Sequence, residues 1–179
     1  MKKLLIAVAV ACAAMFANAA AVGWSAGNIM NYKGDAYMFF IDGQNGASIS
    51  AVTTALDKGE SVASMAMGQN VVNDAGQANI SANTAGQPTV ASNATYTGFF
   101  VLFDNADLAK ATKYVVISGA TGLTKTVNST AAIVTFSAGN VANIVNTASN
   151  WKTLPTPEPT SGLLMLIGCA ALGLRRKQK

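Results

Sequence analysis

Histidine and cysteine, two side chains that often carry catalysis, are missing from the middle segment of this sequence, residues 20–154. The 179-residue chain contains no histidine, and its two cysteines, Cys12 and Cys169, lie near its ends. A middle segment without imidazole or thiol excludes histidine bases, cysteine nucleophiles, disulfides and Cys/His zinc sites from that segment. We therefore expect no cofactor, and carboxylates remain as the candidates for catalysis.

Seven carboxylates lie between residues 20 and 154. They are Asp35, Asp42, Asp57, Glu60, Asp74, Asp104 and Asp107. Glycoside hydrolysis requires two carboxylates held about 5 to 9.5 Å apart across a cleft. Nearly all of the seven fall at expected turns or strand ends, and no pair stands out by its spacing. We predict that the protein is not an enzyme.

One loop combines several oxygen ligands of the kind that calcium binds. The loop at the end of the strand expected at 96–104 contains Asp104, Asn105 and Asp107. Calcium in proteins is held by carboxylate and carbonyl oxygens. Two carboxylates in one loop more commonly form a solvated turn or cap the segment that follows. These three residues are therefore weak calcium candidates, and we expect no metal.

Two short patterns resemble functional motifs but lack essential parts. The segment 119–126, GATGLTKT, has Thr124 where a phosphate-binding loop requires glycine before the lysine. Ser149 and Lys152 form an S-x-x-K pattern, but the companion S-D-N and K-T-G elements are missing. We interpret the first pattern as a turn between strands and the second as a chance match.

Aromatic residues offer a possible surface for sugars. Trp24 and Trp151 bracket the middle segment, with four tyrosines between them. Exposed, coplanar rings would stack on sugar rings, whereas large aromatics more commonly build the core. The position of these rings therefore distinguishes a carbohydrate-binding module from a domain in which they serve only packing.

Positive charge is concentrated at the two ends of the chain. The formal net charge is +4, but six of the twelve basic residues lie in the first three and the last five positions. Between residues 20 and 154, six lysines face seven acidic residues and there is no arginine. No basic patch remains to bind a phosphate backbone, so we predict no nucleic-acid partner.

The N-terminus has the three-part plan of a secretory signal peptide. Two lysines precede an apolar core, and small residues follow at Ala17 and Ala19. This plan predicts a signal peptide over residues 1–19, with cleavage between Ala19 and Ala20. The alternative, a lipidated Cys12, is disfavoured by the apolar residues that follow it.

The C-terminal segment 155–179 combines a proline-rich tether, an apolar run and a basic end. Its prolines predict an extended tether, because proline lacks an amide donor and restricts its neighbours. The apolar run 161–174 spans 14 residues. As a helix it would be about 21 Å long, shorter than the roughly 30 Å of a bilayer core. We predict a short transmembrane helix whose basic end stays in the cytoplasm.

The order of these parts resembles the PEP-CTERM sorting signal, which exosortases recognise in Gram-negative bacteria. The match consists of Pro157, Glu158 and Pro159, then the apolar run, then Arg175 and Arg176. It covers about the last two dozen residues of the chain.

This resemblance implies a route and leaves the activity open. It implies that an integral-membrane exosortase processes the tail after transient residence in the inner membrane. The protein would then reach the cell surface or the exopolysaccharide of a biofilm. One departure is Thr156, which stands where such tails often carry valine. Proteins that share the tail have unrelated bodies, so fold and function must be argued from residues 20–154.

Residues 20–154 are expected to form one exported, mainly β domain. Aromatic or β-branched runs bounded by turn residues predict strands at 36–42, 96–104, 113–119 and 131–139, with weaker candidates at 21–27, 61–68 and 123–128. Ile49, Val52 and Leu56 have helical spacing and predict one short helix over 47–58, whereas 141–151 fits either state. We predict a small antiparallel β-sandwich with one short helix.

These features favour an exported, non-catalytic structural protein of the cell surface or extracellular matrix. Its partners would be an exosortase, the inner membrane during processing, and extracellular polysaccharide. The alternative is a non-catalytic carbohydrate-binding module, which several aromatics on one exposed sheet face would indicate.

Overall fold

Ten β-strands and two α-helices make up the parts of the chain that the computed structural model describes, residues 19–83 and 86–155. The strands are β1 (Ala19–Gly27), β2 (Ala36–Ile41), β3 (Gly68–Val71), β4 (Ala78–Ile80), β5 (Thr89–Ala91), β6 (Ala94–Phe103), β7 (Lys113–Ile117), β8 (Thr124–Val127), β9 (Ile133–Asn140) and β10 (Lys152–Thr153). The helices are α1 (Ile49–Asp57) and α2 (Ala142–Val145). The predicted mainly β fold is confirmed.

Both expected targeting segments fall largely outside this description. Residues 1–18 of the expected signal peptide are not described, and neither is the chain after Pro155, which includes the expected membrane helix. In the ranges that are described, no helix has the length and hydropathy needed to cross a bilayer.

Six strands form a central sheet with β6 in its middle. β6 pairs antiparallel with β2, β7 and β8, while β3 extends the sheet beyond β2 and β10 extends it beyond β7. All residues of β2 and the last six residues of β6 are buried. A strand covered on both faces requires a continuous apolar run, and residues 99–103 (FFVLF) provide it, so the strand predicted at 96–104 is confirmed as β6.

A second, four-stranded sheet is built around β1. β4 and β5 pair antiparallel with β1, whereas β9 pairs parallel with it from Ala21 opposite Ile133 to Gly27 opposite Asn140. The prediction of purely antiparallel sheets is therefore wrong for β1 and β9. A parallel pair needs a long connection instead of a hairpin, and no local sequence pattern specifies such a pairing.

The two sheets face each other across an aromatic layer, which we call the inner core. Trp24 of β1 stacks on Phe39 of β2 with ring centroids 5.0 Å apart, and Phe136 of β9 lies 5.4 Å from Phe39. All three side chains are at most 1% exposed. Full burial of a large apolar side chain stabilises a fold by about 1.5–3 kcal/mol, so this layer holds the sheets together without disulfides.

The opposite face of the central sheet packs under α1 and forms an outer core. Phe40 and Phe99 stack there with centroids 5.0 Å apart, and Val52 and Leu56 of α1 cover the sheet. The Ser48 hydroxyl accepts a hydrogen bond from the Ala51 amide at 3.0 Å and so caps the start of the helix. The predicted helix is confirmed over Ile49–Asp57, and the molecule has a sheet–sheet–helix layering.

One local prediction needs correction, and one segment that the sequence left open is assigned by the structure. The weak strand candidate 61–68 consists mainly of turns, and β3 begins only at its last residue. Val62 and Met65 pack into the outer core, so the apolar residues of this segment cover the sheet instead of pairing with it. The undecided segment 141–151 contains α2 and a 3-10 turn at Ala148–Asn150.

Candidate functional site

Most aromatic side chains of the body are core residues. Of the twelve between residues 20 and 154, nine are buried and three are partly exposed, namely Tyr32, Tyr96 and Trp151. The Tyr96 hydroxyl donates to the Ala91 carbonyl at 3.1 Å. Among the described residues no sheet face presents several exposed aromatics, which is the feature that a flat carbohydrate-binding surface requires.

Tyr32 and Trp151 form a partly exposed aromatic pair that packs against the inner core. Their ring centroids are 4.9 Å apart and their planes are inclined by 28°. The Tyr32 hydroxyl and the Trp151 indole Nε1 both donate to the Val145 carbonyl oxygen, at 3.0 Å and 2.6 Å. One acceptor at the end of α2 therefore fixes the orientation of both rings.

A groove of about 290 Å³ runs along this pair, and we call it the Tyr32–Trp151 groove. Its lining residues are Tyr32, Asp104, Lys113, Val145, Asn146, Ala148 and Trp151. The Asn146 Oδ1 accepts a hydrogen bond from the Asn31 amide nitrogen at 3.2 Å. This contact orients the Asn146 side chain, and within 19–83 and 86–155 its Nδ2 has no acceptor.

Asp104 is the carboxylate that lines the groove, and hydrogen bonds hold it in place. Its Oδ1 accepts hydrogen bonds from the Thr112 amide at 2.7 Å and the Lys113 amide at 3.0 Å, and its Oδ2 accepts one from the Thr112 hydroxyl at 2.5 Å. Partial burial opposes the charged form, but these hydrogen bonds together outweigh it and lower the pKa of Asp104. Asp104 is thus a fixed anion at one end of the groove.

The predicted calcium candidates form a network of caps. The Asn105 Oδ1 accepts from the Asp107 amide at 2.9 Å, and the Asp107 Oδ1 accepts from the Ala109 amide at 3.0 Å. The Asp107 Oδ2 lies 3.3 Å from the Lys110 Nζ. Each side chain thus has a local role in shaping the loop, and the described ranges contain no group of three or more acidic residues arranged for a metal.

The pKa values of Asp35 and Asp104 are shifted in opposite directions. Burial raises the pKa of Asp35, and the negative charge of Asp104 raises it further, while the pKa of Asp104 is lowered. Opposite shifts in neighbouring carboxylates are also found in glycosidases. However, Asp35 does not line the groove, and both Asp104 oxygens are engaged by Thr112 and Lys113. The pair carries no argument for catalysis.

The S-x-x-K pattern separates in the structure. Ser149 lies in a 3-10 turn, while the Lys152 Nζ lies 4.0 Å from the Asp57 Oδ2 and 5.9 Å from the centre of the Tyr114 ring. The Tyr114 hydroxyl donates to the Asp57 Oδ1 at 2.6 Å. Lys152 therefore helps to fasten β10 to α1. The turn predicted at 119–126 is found as a 3-10 turn at Thr121–Leu123 between β7 and β8, whereas residues 124–126 belong to β8.

Two further grooves have different linings. An apolar cleft of about 280 Å³ lies between the end of α1, the 104–112 loop and Pro155. A polar groove of about 360 Å³ is lined by hydroxyl and amide side chains, among them Ser25, Gln77, Asn79 and Ser137. The Tyr32–Trp151 groove differs from both because it combines aromatic rings with charged and amide groups.

The predicted processing sites lie at the borders of the described structure. Ala19 and Ala20 are the first residues of β1, opposite Ala91 and Val90 of β5. Ala17 lies outside the described residues. The same is true of the sorting-signal residues, which are Pro157, Glu158, Pro159, Arg175 and Arg176.

The groove residues were largely missed by sequence reasoning. Tyr32 and Trp151 are aromatic residues 119 positions apart in the chain, and nothing in their spacing predicts that they meet. Asn146 and Lys113 belong to no recognisable motif.

Comparison with protein-family models, curated proteins and solved structures finds no match to this chain.

Proposed function

We propose that this protein is a non-catalytic structural component of the bacterial cell surface or extracellular matrix, exported by its signal peptide and processed at its tail by an exosortase. The body would be a β-sandwich with a helix layered on one of its sheets. Its role would lie in being present at the surface or in the matrix, without turnover of a substrate.

The observation that carries this proposal is the order of parts after β10. Pro157-Glu158-Pro159, the apolar run 161–174 and Arg175-Arg176 follow the body in the sequence, as in PEP-CTERM tails. An apolar run of 14 residues is shorter than the roughly 20 residues of a stable membrane helix. A short span suits transient residence beside a membrane enzyme better than permanent anchoring.

The end of the folded body is compatible with such processing. β10 pairs with β7, the Leu154 amide donates to the Thr112 carbonyl at 2.8 Å, and Leu154 packs on the outer core. The chain is thus secured to the central sheet up to the start of the tether. Cleavage beyond Pro155 would leave these contacts intact.

The body also supports a non-catalytic role. Residues 20–154 contain no imidazole or thiol. The Asp104 carboxylate accepts hydrogen bonds from backbone amides, and most of the aromatic side chains are buried in the core. The alternative of a carbohydrate-binding module with a flat aromatic face has no such face among the described residues. What remains of that alternative is the Tyr32–Trp151 groove.

Mass spectrometry of the protein from its native host tests the proposal. We expect an N-terminus at Ala20 and a C-terminus near Pro157-Glu158-Pro159, in protein recovered from the cell surface or the matrix. Replacing Arg175 and Arg176 by glutamine should accumulate uncut precursor, because the span loses its cytoplasmic stop. As a matched control, replacing Lys110 and Lys113 by glutamine removes the same charge from the body and should leave processing unchanged. Mature protein that still carries residues 163–179 would contradict this account.

A further inference from the structure

We propose that the Tyr32–Trp151 groove is a binding site for a single uncharged sugar ring, such as the terminal or exposed residue of a neutral polysaccharide. The inference rests on the proposed function in one respect, since export brings the groove into contact with extracellular polysaccharide. It adds a ligand class and a site to that function.

The aromatic pair supplies the apolar part of the site. Each ring has its polar atom turned to the Val145 carbonyl, and one face of each ring is covered by its partner. Both rings also pack against the inner core, and the part of each ring that stays accessible lines the groove and is held in place before a ligand arrives. Sugar rings have C–H faces that pack on such surfaces, and a preformed site avoids the entropy cost of ordering side chains.

Polar groups at the rim supply the complementary part. Among the described residues, the Asp104 Oδ2 accepts only the Thr112 hydroxyl and so retains a lone pair for a ligand. The Asn146 Nδ2 and the Lys113 ammonium are donors, and all three residues line the groove. Asp104 and Asn146 are each oriented by protein hydrogen bonds. Hydroxyl groups both donate and accept, so a ring that carries several of them matches this mixed set.

Size and charge narrow the ligand further. A volume of about 290 Å³ lies just below the roughly 300–1,000 Å³ typical of small-molecule sites, so the groove fits one ring better than a chain. The groove is lined by one carboxylate, of Asp104, and one ammonium group, of Lys113, so their formal charges cancel. A charged ligand is attracted by one of these groups and repelled by the other, whereas a neutral ring with several hydroxyl groups matches both as hydrogen-bond partners.

Titration of the exported, mature protein tests the proposal with intrinsic fluorescence. Trp24 is 1% exposed in the inner core, so a ligand-induced change reports mainly on Trp151. The probes are methyl glycosides of glucose, galactose and mannose, and N-acetylglucosamine, with glucuronate and choline as charged comparators. We expect a saturable change with at least one neutral probe and none with choline or glucuronate.

Calorimetric titration of variants assigns the binding to the groove. Trp151→Ala should abolish binding, and Asn146→Ala should weaken it about 3- to 10-fold, as loss of one neutral hydrogen bond implies. Asn146 is exposed, so its variant keeps the fold even if Trp151→Ala does not. The matched control is Tyr96→Ala, which removes a partly exposed aromatic of another region and should leave binding unchanged.

Several results would overturn the proposal. They are the absence of saturable binding by every neutral probe, preferential binding of choline or glucuronate, and equal weakening by Asn146→Ala and Tyr96→Ala. The result is independent of the location experiment. A protein that binds sugar but stays in the cytoplasm refutes only the proposed function, and a processed surface protein without sugar binding refutes only this inference.

Discussion

At the scale of the residue, residues of the same type have different structural roles, as two aspartates and two glycines show. Asp104 organises the start of β7 through three hydrogen bonds, whereas Asp107 in the same loop caps only one amide and pairs with an exposed lysine. Two glycines of the strands, Gly98 and Gly27, differ in a similar way, because Gly98 lies against aromatic rings and Gly27 does not. These pairs of similar residues provide internal comparisons.

Asp104→Asn should destabilise the protein by about 1–3 kcal/mol at neutral pH, because hydrogen bonds to a charged acceptor are lost. The lowered pKa of Asp104 means that its stabilisation is present above the ordinary pKa near 3.8 and is lost as the pH falls through the lowered value. Asp107→Asn should cost less than about 0.5 kcal/mol. Urea unfolding at neutral and acidic pH measures both variants, and equal effects would show that Asp104 has no special role.

Gly98→Ala should destabilise the protein by about 1–3 kcal/mol through overpacking of the inner core. A Cβ at this position would lie 2.7 Å from the Cε2 and Cζ atoms of Phe39 and 3.2 Å from the Phe136 Cδ1. The control Gly27→Ala meets its nearest atom, the Gly139 carbonyl oxygen, at 3.6 Å and should change stability little. Thermal unfolding of the two variants checks the difference, and a neutral Gly98→Ala would mean that the aromatic layer is loosely packed.

At the scale of the element, strands with strong local patterns could be predicted and their partners could not. The aromatic runs of β2 and β6 predicted buried strands, and the spacing of Val52 and Leu56 predicted α1. The parallel pairing of β1 with β9 depends on tertiary packing across most of the chain, and β4 and β5 have only three residues each. Short strands carry too few residues for a period to be recognised.

The contact between α1 and the central sheet gives a prediction at this scale. Burial raises the pKa of Tyr114, and the hydrogen bond and negative charge of Asp57 raise it further. The Tyr114 phenol therefore has a higher pKa in the native state than in the unfolded state. Its contribution to the free energy of unfolding should be fully present below about pH 10 and should fall as the pH rises above that value. Tyr114→Phe should lose about 1–2 kcal/mol at neutral pH and show a weaker alkaline decline.

Guanidinium unfolding at neutral and alkaline pH measures this effect. Burial also raises the pKa of Tyr37, to about 12, so part of the alkaline decline should remain in Tyr114→Phe. Tyr96→Phe removes a more exposed hydroxyl, whose hydrogen bond to Ala91 is 3.1 Å long, and serves as the control. Identical alkaline profiles for wild type and Tyr114→Phe would contradict a role of the Asp57 contact.

At the scale of the whole molecule, the two ends of the body belong to different layers. β1 belongs to the four-stranded sheet, while β10 lies at an edge of the central, six-stranded sheet. Tyr32, Asn146 and Trp151 meet only because these layers fold together, so no inspection of the sequence could have assembled the groove. The same folding determines which bonds remain open to proteases.

The predicted signal-peptide cleavage site illustrates this last point. Ala19 and Ala20 are paired with β5, the Ala20 side chain is 0% exposed, and the Ala21 amide donates to the Ala132 carbonyl at 2.9 Å. A protease needs an extended, unpaired substrate, so the Ala19–Ala20 bond becomes available only if the start of β1 leaves the sheet. We therefore predict that cleavage precedes folding of the body.

Refolded precursor incubated with signal peptidase in detergent should remain largely uncut, whereas precursor synthesised in the presence of the enzyme should be cut at Ala19–Ala20. Gly98→Ala should accelerate cleavage of the refolded precursor, because a less stable body opens more often. Gly27→Ala should cleave at the wild-type rate, since its nearest contact is ordinary. If refolded wild-type precursor were cut as fast as nascent chains, the start of β1 would not be held in the sheet, and the body would begin after the alanines.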